Sequence, residues 1–399
     1  MRIAIVSDFH LGYERFREDA YLQARDAFGK AYSMSDMMIM PGDIFDYRHP
    51  KPDVIAEAIT LFSELSKKDF SAHMVSFEGK GSAYTEKPII VIPGTHERRS
   101  DTAVDPVDLL GLAGIVVNVN RACAIIEKGS ERVAVFGIGG VAEERFKETI
   151  AELAFRPVEG AFNIFMFHQS LYELLPFNKE FLHIEELPEG FDLYVDGHIH
   201  NKVESKCHGK PFLIPGSTVL TQLKEGEQED KGFFIFDTEK MTYSFHPINS
   251  RKFVMLKIDV SGQDPSKAEE EINSRIKSTI SSNGSAKPVI RIELKGRMKE
   301  GFKASDLNIS KMPASYPEAI VEIARTNVDD ASSAREIADL RQGLLENVPI
   351  KDYGMALFLD RLKASNYSMK ISPSKLFEIL SSDSKKDTAI SKAVEELFS

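Results

Sequence analysis

Short apolar runs alternate with amphipathic stretches over about the first 240 residues of the chain. Most runs are rich in Val, Ile and Phe and stop at Gly, Asp, Ser or His, which is typical of buried strands. The runs are RIAIVS, MMIMPGD, PIIVIPG, RVAVFGIGG, NIFMFHQ, LYVDGHIH, PFLIPGS and GFFIFD. Between the second and third runs, Val54, Ala58, Leu61 and Leu65 recur at helical spacing. Strands that alternate with helices predict a layered α/β domain, which we assign to residues 1–250.

The pattern changes after Arg251. KFVMLKIDV and PVIRIEL are predicted strands, and residues 264–280 are a predicted helix with Asp264 as N-cap and Ile272 and Ile276 on one face. These elements predict a small, separate α/β unit over residues 251–330.

The tail, residues 331–399, has the pattern of helices separated by polar breaks. SPSKLFEILSS and DTAISKAVEELF are short amphipathic helices, the first with Ser372 as N-cap and Pro373 at its first position. Two such helices at a chain end are suited either to docking on a partner or to packing back on their own chain.

One stretch between predicted strands has no clear period. Lys67–Pro88 carries Gly79, Gly81 and several Ser and Thr residues, so we predict a long surface loop. A flap over a site and a plain surface excursion both fit this composition.

Composition narrows the class of protein. The chain has 399 residues, 42% hydrophobic and 28% charged, as in ordinary globular proteins, and no apolar run is long enough to cross a bilayer. Cys123 and Cys207 stand in no metal-binding or redox spacing, which predicts reduced thiols in a cytoplasmic protein. A net charge of −11 argues against indiscriminate nucleic-acid binding but leaves DNA possible as a substrate.

Candidate chemistry lies at the ends of the predicted strands, in five short motifs. They are SDFH (Asp8, His10), PGDIFD (Asp43), PGTHE (Thr95, His96), MFHQ (His168) and DGHIH (His198, His200). Each motif alone is more often a turn or a polar pair than a ligand site. Together they bring five of the ten histidines to strand ends, where ligand sites in α/β sheets lie. His with Asp is a donor mixture that manganese, iron and zinc accept.

The spacing within the motifs suits a pair of metal ions. Residues i and i+2 of an extended strand end point the same way, so Asp8 can act with His10, and His198 with His200. The two oxygens of Asp43 can bridge two cations about 3.5–4 Å apart, and Gly42 lets the backbone approach closely. The sequence therefore predicts a dinuclear centre that activates water and clamps a phosphoryl group.

In this order the motifs resemble the calcineurin-like metallophosphoesterase superfamily. DFHLGYERF, PGDIFDYRHPKP, LPEGFDLYVDGHIH and FLIPGS followed by KGFFIFD resemble the nuclease subunit of the double-strand-break repair complex. That is the "meiotic recombination eleven" family, called SbcD-like in bacteria. The resemblance is tight over about the first 240 residues. Beyond them it extends to layout only, a small capping domain and terminal helices.

The resemblance implies a set of residue roles. Two manganese ions per subunit are implied, the first held by Asp8, His10, Asp43 and His200, the second by Asp43, Thr95, His168 and His198. The resemblance also implies that His96 stabilises or protonates the leaving 3′-oxygen, and that Glu97 orients His96. An imidazole beside a cationic centre is suited to donating a proton.

Two positions depart from the family pattern. Thr95 stands where the family has asparagine, and its shorter, neutral hydroxyl predicts weaker binding of the second metal. Asp46 stands where the family often has histidine; it either repels a nearby phosphate or caps the following turn. Arg98, with Arg48 and Arg99, is a candidate phosphate contact.

The function that the resemblance implies is a manganese-dependent DNA nuclease acting in double-strand-break repair. It implies 3′→5′ exonuclease and single-strand or hairpin endonuclease activity, a homodimer formed through helices near Val54–Leu65 and DPVDLLGLAG, and an ABC-type ATPase partner of the SbcC type on the C-terminal helices. Two alternatives share parts of this picture. One is a phosphodiesterase or phosphatase for another substrate, and the other is a DNA-end scaffold with little catalysis.

Overall fold

The computed structural model describes residues 1–65, 71–78, 88–99, 103–175, 181–283 and 287–329. The chain divides into two compact units that interleave along the sequence. The first comprises Met1–Leu256, Ile276–Ile292 and Pro313–Glu322, and the second comprises Lys257–Arg275, Glu293–Met312 and the described part of Ile323–Ser399. The predicted boundaries at residues 250 and 330 remain predictions, and the predicted tail helices lie outside the described residues.

The described residues form sixteen strands and five α-helices. The strands are β1 (Arg2–Ile5), β2 (Met37–Met40), β3 (His73–Glu78), β4 (Ile89–Val91), β5 (Val117–Asn118), β6 (Ala122–Lys128), β7 (Glu131–Ile138), β8 (Phe162–Phe167), β9 (Leu193–Asp196), β10 (Val203–Cys207), β11 (Lys210–Ile214), β12 (Gly232–Asp237), β13 (Thr242–Pro247), β14 (Phe253–Asp259), β15 (Val289–Arg297) and β16 (Ile320–Asp329). The helices are α1 (Arg17–Met34), α2 (Pro52–Leu65), α3 (Pro106–Leu112), α4 (Glu143–Leu153) and α5 (Pro265–Ser282).

The first unit contains two sheets. One has six strands in the order β13-β12-β1-β2-β4-β5, and the other has seven in the order β10-β11-β9-β8-β7-β6-β3. Strands β1, β2, β4 and β5 run parallel, as do β7, β8, β9 and β11. The parallel strands at the centre of each sheet therefore present their carboxyl ends together, which is where the predicted ligands follow.

Apolar side chains on both faces of the sheets hold these layers together. Ile3, Ile39 and Ile90 of the first sheet pack with Val135 and Ile164 of the second. Because alternate residues of a strand point to opposite faces, the neighbouring residues form separate outer cores. Helices α1, α2 and α3 cover the outer face of the first sheet, and α4 covers that of the second. The predicted layered α/β arrangement is confirmed in this coarse form.

All eight strands predicted for the first domain are present, and the predicted helix is α2. The prediction of one long loop over Lys67–Pro88 is wrong in part, because His73–Glu78 forms β3 at the edge of the second sheet, paired antiparallel with β6. Its side chains alternate between exposed and half-buried, an edge-strand pattern too weak to stand out in the sequence. Within that stretch the structure also describes Ser71, Ala72 and Pro88. Its other residues lie outside the described part of the chain.

The predicted strands and helix beyond Arg251 are β14, β15 and α5, and β14, β15 and β16 form a three-stranded sheet. The Asp264 carboxylate accepts a hydrogen bond from the Lys267 backbone N–H at 3.1 Å, as expected of an N-cap. In the described part of the chain, none of the helices combines the length and the apolar character that crossing a bilayer requires.

Candidate metal centre

The turns that follow β1, β2 and β9 adopt backbone conformations that are rare for residues with a side chain. Asp8, His10, Asp43 and His198 have φ values of 52°, 48°, 50° and 67°. A left-handed conformation at a non-glycine residue costs on the order of 1 kcal/mol and persists only where the surrounding structure imposes it. The surrounding structure therefore holds the backbone of these four residues in a strained conformation, which fixes the direction of their side chains.

Two glycines allow the turns to approach one another. A Cβ added to Gly94 would lie 2.1 Å from Asp43 Oδ1, and one added to Gly197 would lie 2.1 Å from the Pro41 carbonyl oxygen. Such distances exclude any side chain without movement of the turns. Both turns therefore require glycine, and the expectation for Gly42 is confirmed too, since a Cβ added there would lie 2.5 Å from His168 Nδ1.

The first cluster joins the ends of β1 and β9. One ligand atom each from Asp8, His10 and His200 lie within 4.8 Å of one another. His10 Nε2 and His200 Nε2 are 3.1 Å apart, and each lies 3.9 Å from Asp8 Oδ1. Two imidazole nitrogens and a carboxylate oxygen facing one point can hold a divalent metal ion.

The second cluster joins the ends of β2, β4, β8 and β9. Ligand atoms of Asp43, His168 and His198 lie within 4.8 Å of one another. Thr95 Oγ1 lies 3.5 Å from Asp43 Oδ2 and 3.4 Å from both His168 Nε2 and His198 Nδ1. The hydroxyl of Thr95 thus faces the same point as the other three donors, although whether it binds a metal there stays a prediction.

Asp43 is the ligand predicted to serve both metals. Its Oδ2 lies 3.2 Å from His168 Nε2, and its Oδ1 accepts a hydrogen bond from the His96 backbone N–H at 2.9 Å. The bridging role stays a prediction, but these contacts bind the turn after β2 to the turn that carries His96.

Burial and close charges shift the pKa values of the cluster residues in opposite directions. Burial raises the pKa of Asp8 to about 6. Burial opposes the charged form of Asp43, but the neighbouring His168 holds the pKa of Asp43 well below its usual range. Burial also disfavours charge on His168, yet the Asp43 carboxylate raises the pKa of His168 to about 10. Burial, together with repulsion from other histidines, lowers the pKa of His198 to about 4 and that of His200 well below its usual value. A metal ion at His168 must therefore displace a proton.

The outer ring nitrogens of two ligands are fixed by acceptors. His168 Nδ1 lies 2.6 Å from the Pro41 carbonyl oxygen, and His10 Nδ1 lies 3.0 Å from Asp46 Oδ1. Both partners accept hydrogen bonds, so each Nδ1 carries a hydrogen, and once the ring is neutral its lone pair is on Nε2, which faces the cluster. These tautomers are the ones that metal binding needs.

His96 lies beside the first cluster, with 42% of its side chain exposed. Its Nδ1 lies 2.9 Å from the Asp46 carbonyl oxygen and 3.4 Å from Asp46 Oδ1. Its ring meets that of His10 edge-on, with centroids 4.9 Å apart. Asp46 therefore contacts both His10 and His96. The two roles considered for Asp46 from the sequence, repelling a phosphate and capping a turn, did not include these contacts.

The predicted role of Glu97 needs correction. Glu97 is fully buried, and its two oxygens accept hydrogen bonds from the backbone N–H groups of Phe45 at 2.8 Å and Gly94 at 2.7 Å. Glu97 therefore fastens the turn after β4 to the turn after β2, while Asp46 is the residue that orients the His96 ring. The resemblance implied a Glu97–His96 pair, but the two side chains diverge, since Glu97 is fully buried and the His96 side chain is 42% exposed.

The candidate phosphate contacts divide between two depressions. Arg48 lines an open cleft of about 540 Å³ together with Asp46, Tyr47, His49, Thr95 and His96. Arg98 and Arg99 instead line a neighbouring groove of about 420 Å³, with Arg121 and Arg145. The floor of this arginine groove abuts the site, because a Cβ added to Gly140 would lie 2.7 Å from the Thr95 backbone nitrogen.

The donor set suits a divalent transition metal at each cluster. The described side chains offer carboxylate oxygens and imidazole nitrogens in both clusters, a mixture that fits manganese, iron or zinc and suits magnesium or calcium poorly. Sequence reasoning missed Thr221, whose hydroxyl contacts His200 Nδ1. Thr221 stands in no motif, so only the folded chain brings it to the site.

Comparison with known proteins agrees with this geometry. Residues 1–202 match the family model described as calcineurin-like phosphoesterase. The chain is 27% identical over 305 residues to the DNA double-strand break repair protein Mre11 of Methanopyrus kandleri, a match covering 69% of this chain and 62% of that protein. It is 27% identical to the double-strand break repair protein MRE11 of Encephalitozoon cuniculi, covering 70% of this chain and 53% of that protein.

A third relative is matched over a larger share of its length. The DNA double-strand break repair protein Mre11 of Sulfurisphaera tokodaii is 26% identical over 316 residues, covering 74% of both chains. For the first two relatives, however, the match spans less than two thirds of the relative's own length. What those whole proteins do is thus a starting point for a proposal about this chain.

Proposed function

This chain belongs to the calcineurin-like phosphoesterase family, and we propose that it is a manganese-dependent DNA nuclease of double-strand-break repair. The observation that carries the proposal is the pair of adjoining donor clusters, with His96 at the rim of the first. DNA is proposed as the substrate because the three relatives described above are named as double-strand break repair proteins. The proposed activities are 3′→5′ exonuclease on duplex DNA and endonuclease on single strands or hairpins.

The side chains divide the proposed reaction between them. Asp8, His10 and His200 would hold the first manganese ion, while His168, His198 and Thr95 would hold the second, with Asp43 between them. When bound, the two ions supply Lewis acidity that activates water and clamps a phosphoryl group.

His96 works on the leaving side of the phosphodiester. The carbonyl oxygen of Asp46 holds Nδ1–H of His96, which directs the other ring nitrogen, Nε2, to the leaving 3′-oxygen. Because half-exposed His96 borders the open cleft, a strand can reach it without a movement of the buried ligands.

A local concentration of positive charge supports DNA as the substrate of an acidic chain. Four arginines and two aspartates, Asp105 and Asp108, line the groove that begins behind the Thr95 backbone, which leaves an excess of positive charge there, and Arg48 lines the cleft in front of it. Arginine suits phosphate because its planar group can donate two parallel hydrogen bonds. A strand that follows the groove would have its end directed toward the metal centre.

The proposal includes a homodimer in the cytoplasm with an ABC-type ATPase partner. Apolar side chains on α2 and α3 support the dimer, since Ile59, Leu109 and Leu112 are 40%, 45% and 55% exposed. The two buried thiols, Cys123 and Cys207, are unpaired, which supports a reducing compartment. The ATPase is proposed to dock on the C-terminal helices, which lie outside the described residues; sedimentation of the pure chain and of its mixture with the ATPase tests both contacts.

The decisive experiment is degradation of 3′-labelled linear duplex DNA in manganese by the wild type, His96→Ala and a matched control, His73→Ala. His73 is an exposed histidine on β3. We expect the wild type and the control to release mononucleotides and His96→Ala to lose at least about a hundredfold in rate, the usual scale for losing a general acid.

Two outcomes would redirect the proposal. If none of the proteins degrades DNA while the wild type hydrolyses an aryl phosphodiester, the metal centre acts on another substrate. If the wild type hydrolyses neither but binds DNA ends, the chain is a scaffold.

A further inference from the structure

The hydroxyl of Thr221 contacts the first cluster from outside. Thr221 Oγ1 lies 2.5 Å from His200 Nδ1, on the side of the ring opposite the Nε2 that faces His10. Thr221 follows β11 in the chain, in a segment that the family motifs leave unassigned. The direction of this hydrogen bond decides which nitrogen of His200 keeps its lone pair.

A buried carboxylate fixes that direction. Glu227 Oε1 lies 3.1 Å from Thr221 Oγ1, and an ionised carboxylate can only accept. Its pKa is lowered, because the Lys231 charge and backbone N–H donors outweigh the effect of burial. The Thr221 hydroxyl hydrogen is therefore donated to Glu227, and the Thr221 oxygen is left to accept from His200 Nδ1–H. His200 Nε2 then has no hydrogen.

Glu227 is itself held on several sides. It accepts hydrogen bonds from the backbone N–H groups of Thr221 at 3.0 Å, Gln222 at 2.8 Å and Leu223 at 2.6 Å. It also pairs with Lys231 Nζ at 3.1 Å, and the two side chains are only 2% and 5% exposed. A buried ion pair with further hydrogen bonds is costly to build and costly to break, so this one holds the segment in a single arrangement.

Two more contacts tie the arrangement to the site. Lys231 Nζ donates to the His200 carbonyl oxygen at 3.1 Å and to Ser217 Oγ at 2.9 Å. Tyr13 donates its hydroxyl hydrogen to the Thr221 carbonyl oxygen at 2.7 Å. The backbones of His200 and Thr221 are therefore both fixed, which holds the Thr221 hydroxyl between His200 Nδ1 and the Glu227 carboxylate.

We propose that Thr221 is a positioning residue that, held by the buried Glu227–Lys231 pair, fixes His200 in the tautomer with Nε2 free for the first metal. The inference rests on the metal centre of the proposed function and is independent of its substrate. It assigns to the 221–231 segment the part that Pro41 and Asp46 play for His168 and His10. Removing an outer hydrogen-bond partner of this kind typically lowers metal affinity about 10–100-fold.

The tautomer is measured directly in the metal-free protein. Long-range ¹H–¹⁵N correlation spectra at about pH 8, assigned with His200→Gln, report which ring nitrogen is protonated. We expect Nδ1–H in the wild type, a shift toward Nε2–H in Thr221→Val, and recovery of Nδ1–H in Thr221→Ser. Thr218→Val is the matched control, because Thr218 Oγ1 is buried near the site and has no hydrogen-bond partner among the described residues.

Manganese affinity provides a second test of the role of Thr221. Titrations in a His198→Ala background, which weakens the second cluster, isolate the first. We expect Thr221→Val to bind manganese about 10–100-fold more weakly and Thr221→Ser and Thr218→Val to match the background.

An unchanged His200 tautomer in Thr221→Val would overturn the inference, as would equal weakening by Thr218→Val. Since neither measurement contains DNA, a failed nuclease assay would leave both results interpretable.

Discussion

At the scale of single residues, this site depends on which atom of each side chain is free to bind. Histidine offers two nitrogens, and the described contacts leave Nε2 of His10, His168 and His200 facing the clusters because an acceptor holds each Nδ1. His198 differs, since its Nδ1 faces Thr95. Motif spacing identifies these residues but cannot say which nitrogen is available.

Thr95 allows a residue-scale prediction. Its oxygen stands 3.4 Å from two imidazole nitrogens, so it faces the second cluster with a neutral hydroxyl one bond nearer the backbone than an asparagine oxygen. We expect the wild type to bind two manganese ions with unequal affinities, and Thr95→Asn to tighten the weaker one about tenfold. Calorimetric titration measures both, with Thr95→Val as the variant that loses the oxygen. Two equal, tight affinities in the wild type would contradict the idea.

At the scale of elements, the centre lies where strands of two different sheets end. Asp43 follows β2 of the first sheet and His168 follows β8 of the second, and their side chains meet at 3.2 Å. The interior between the sheets, built from residues such as Ile39 and Met166, fixes the spacing of these ends. Rigid sheets therefore position the ligands more accurately than loops would.

The Asp43–His168 contact predicts how manganese binding depends on pH. With its pKa raised to about 10, His168 stays protonated at neutral pH, so the metal must displace a proton. His198, with its pKa lowered to about 4, is already neutral and adds none. Affinity should therefore rise with pH, by about tenfold per unit between about pH 7 and about 8.5.

Calorimetry in two buffers of different ionisation enthalpy counts the protons released. About one proton per manganese ion at the second cluster is the expected value. No release, with an affinity that stays flat across this pH range, would show that the proton is not on His168.

At the scale of the whole molecule, charge is distributed unevenly. The chain carries a net charge of −11, yet Arg98, Arg99, Arg121 and Arg145 share one groove beside the site. An acidic surface elsewhere would disfavour non-specific coating of DNA, while the groove offers a local track for phosphates. The same chain can therefore avoid DNA in general and still bind an end.

This arrangement predicts the salt dependence of DNA binding. Arg98→Ala and Arg121→Ala should each weaken binding regardless of sequence and lower the slope of log affinity against log salt by about 1. Arg156→Ala, an exposed arginine outside the groove, is the matched control. Fluorescence anisotropy with a duplex end at several salt concentrations measures the slope. Equal slopes in the wild type and all three variants would show that the groove arginines do not contact the DNA backbone.

The sequence by itself determined the elements and the chemistry of the centre. Apolar runs that end in His and Asp identify the strands and the candidate metal ligands, because burial imposes the period and metal binding favours these residue types. Prediction of strands from the sequence fails where the apolar period is weak, as at β3, whose side chains are only partly buried. A family resemblance added roles, but it assigned Glu97 to His96, whereas Glu97 binds backbone N–H groups.

Only the tertiary structure decided which residues support the ligands. Asp46, Thr221 and Glu227 are far in sequence from at least one of the histidines they serve, and no local pattern marks them. Their roles follow from hydrogen-bond direction in a buried network, where each donor must find an acceptor. Such pairings depend on where the turns meet in space, and spacing along the chain does not encode that.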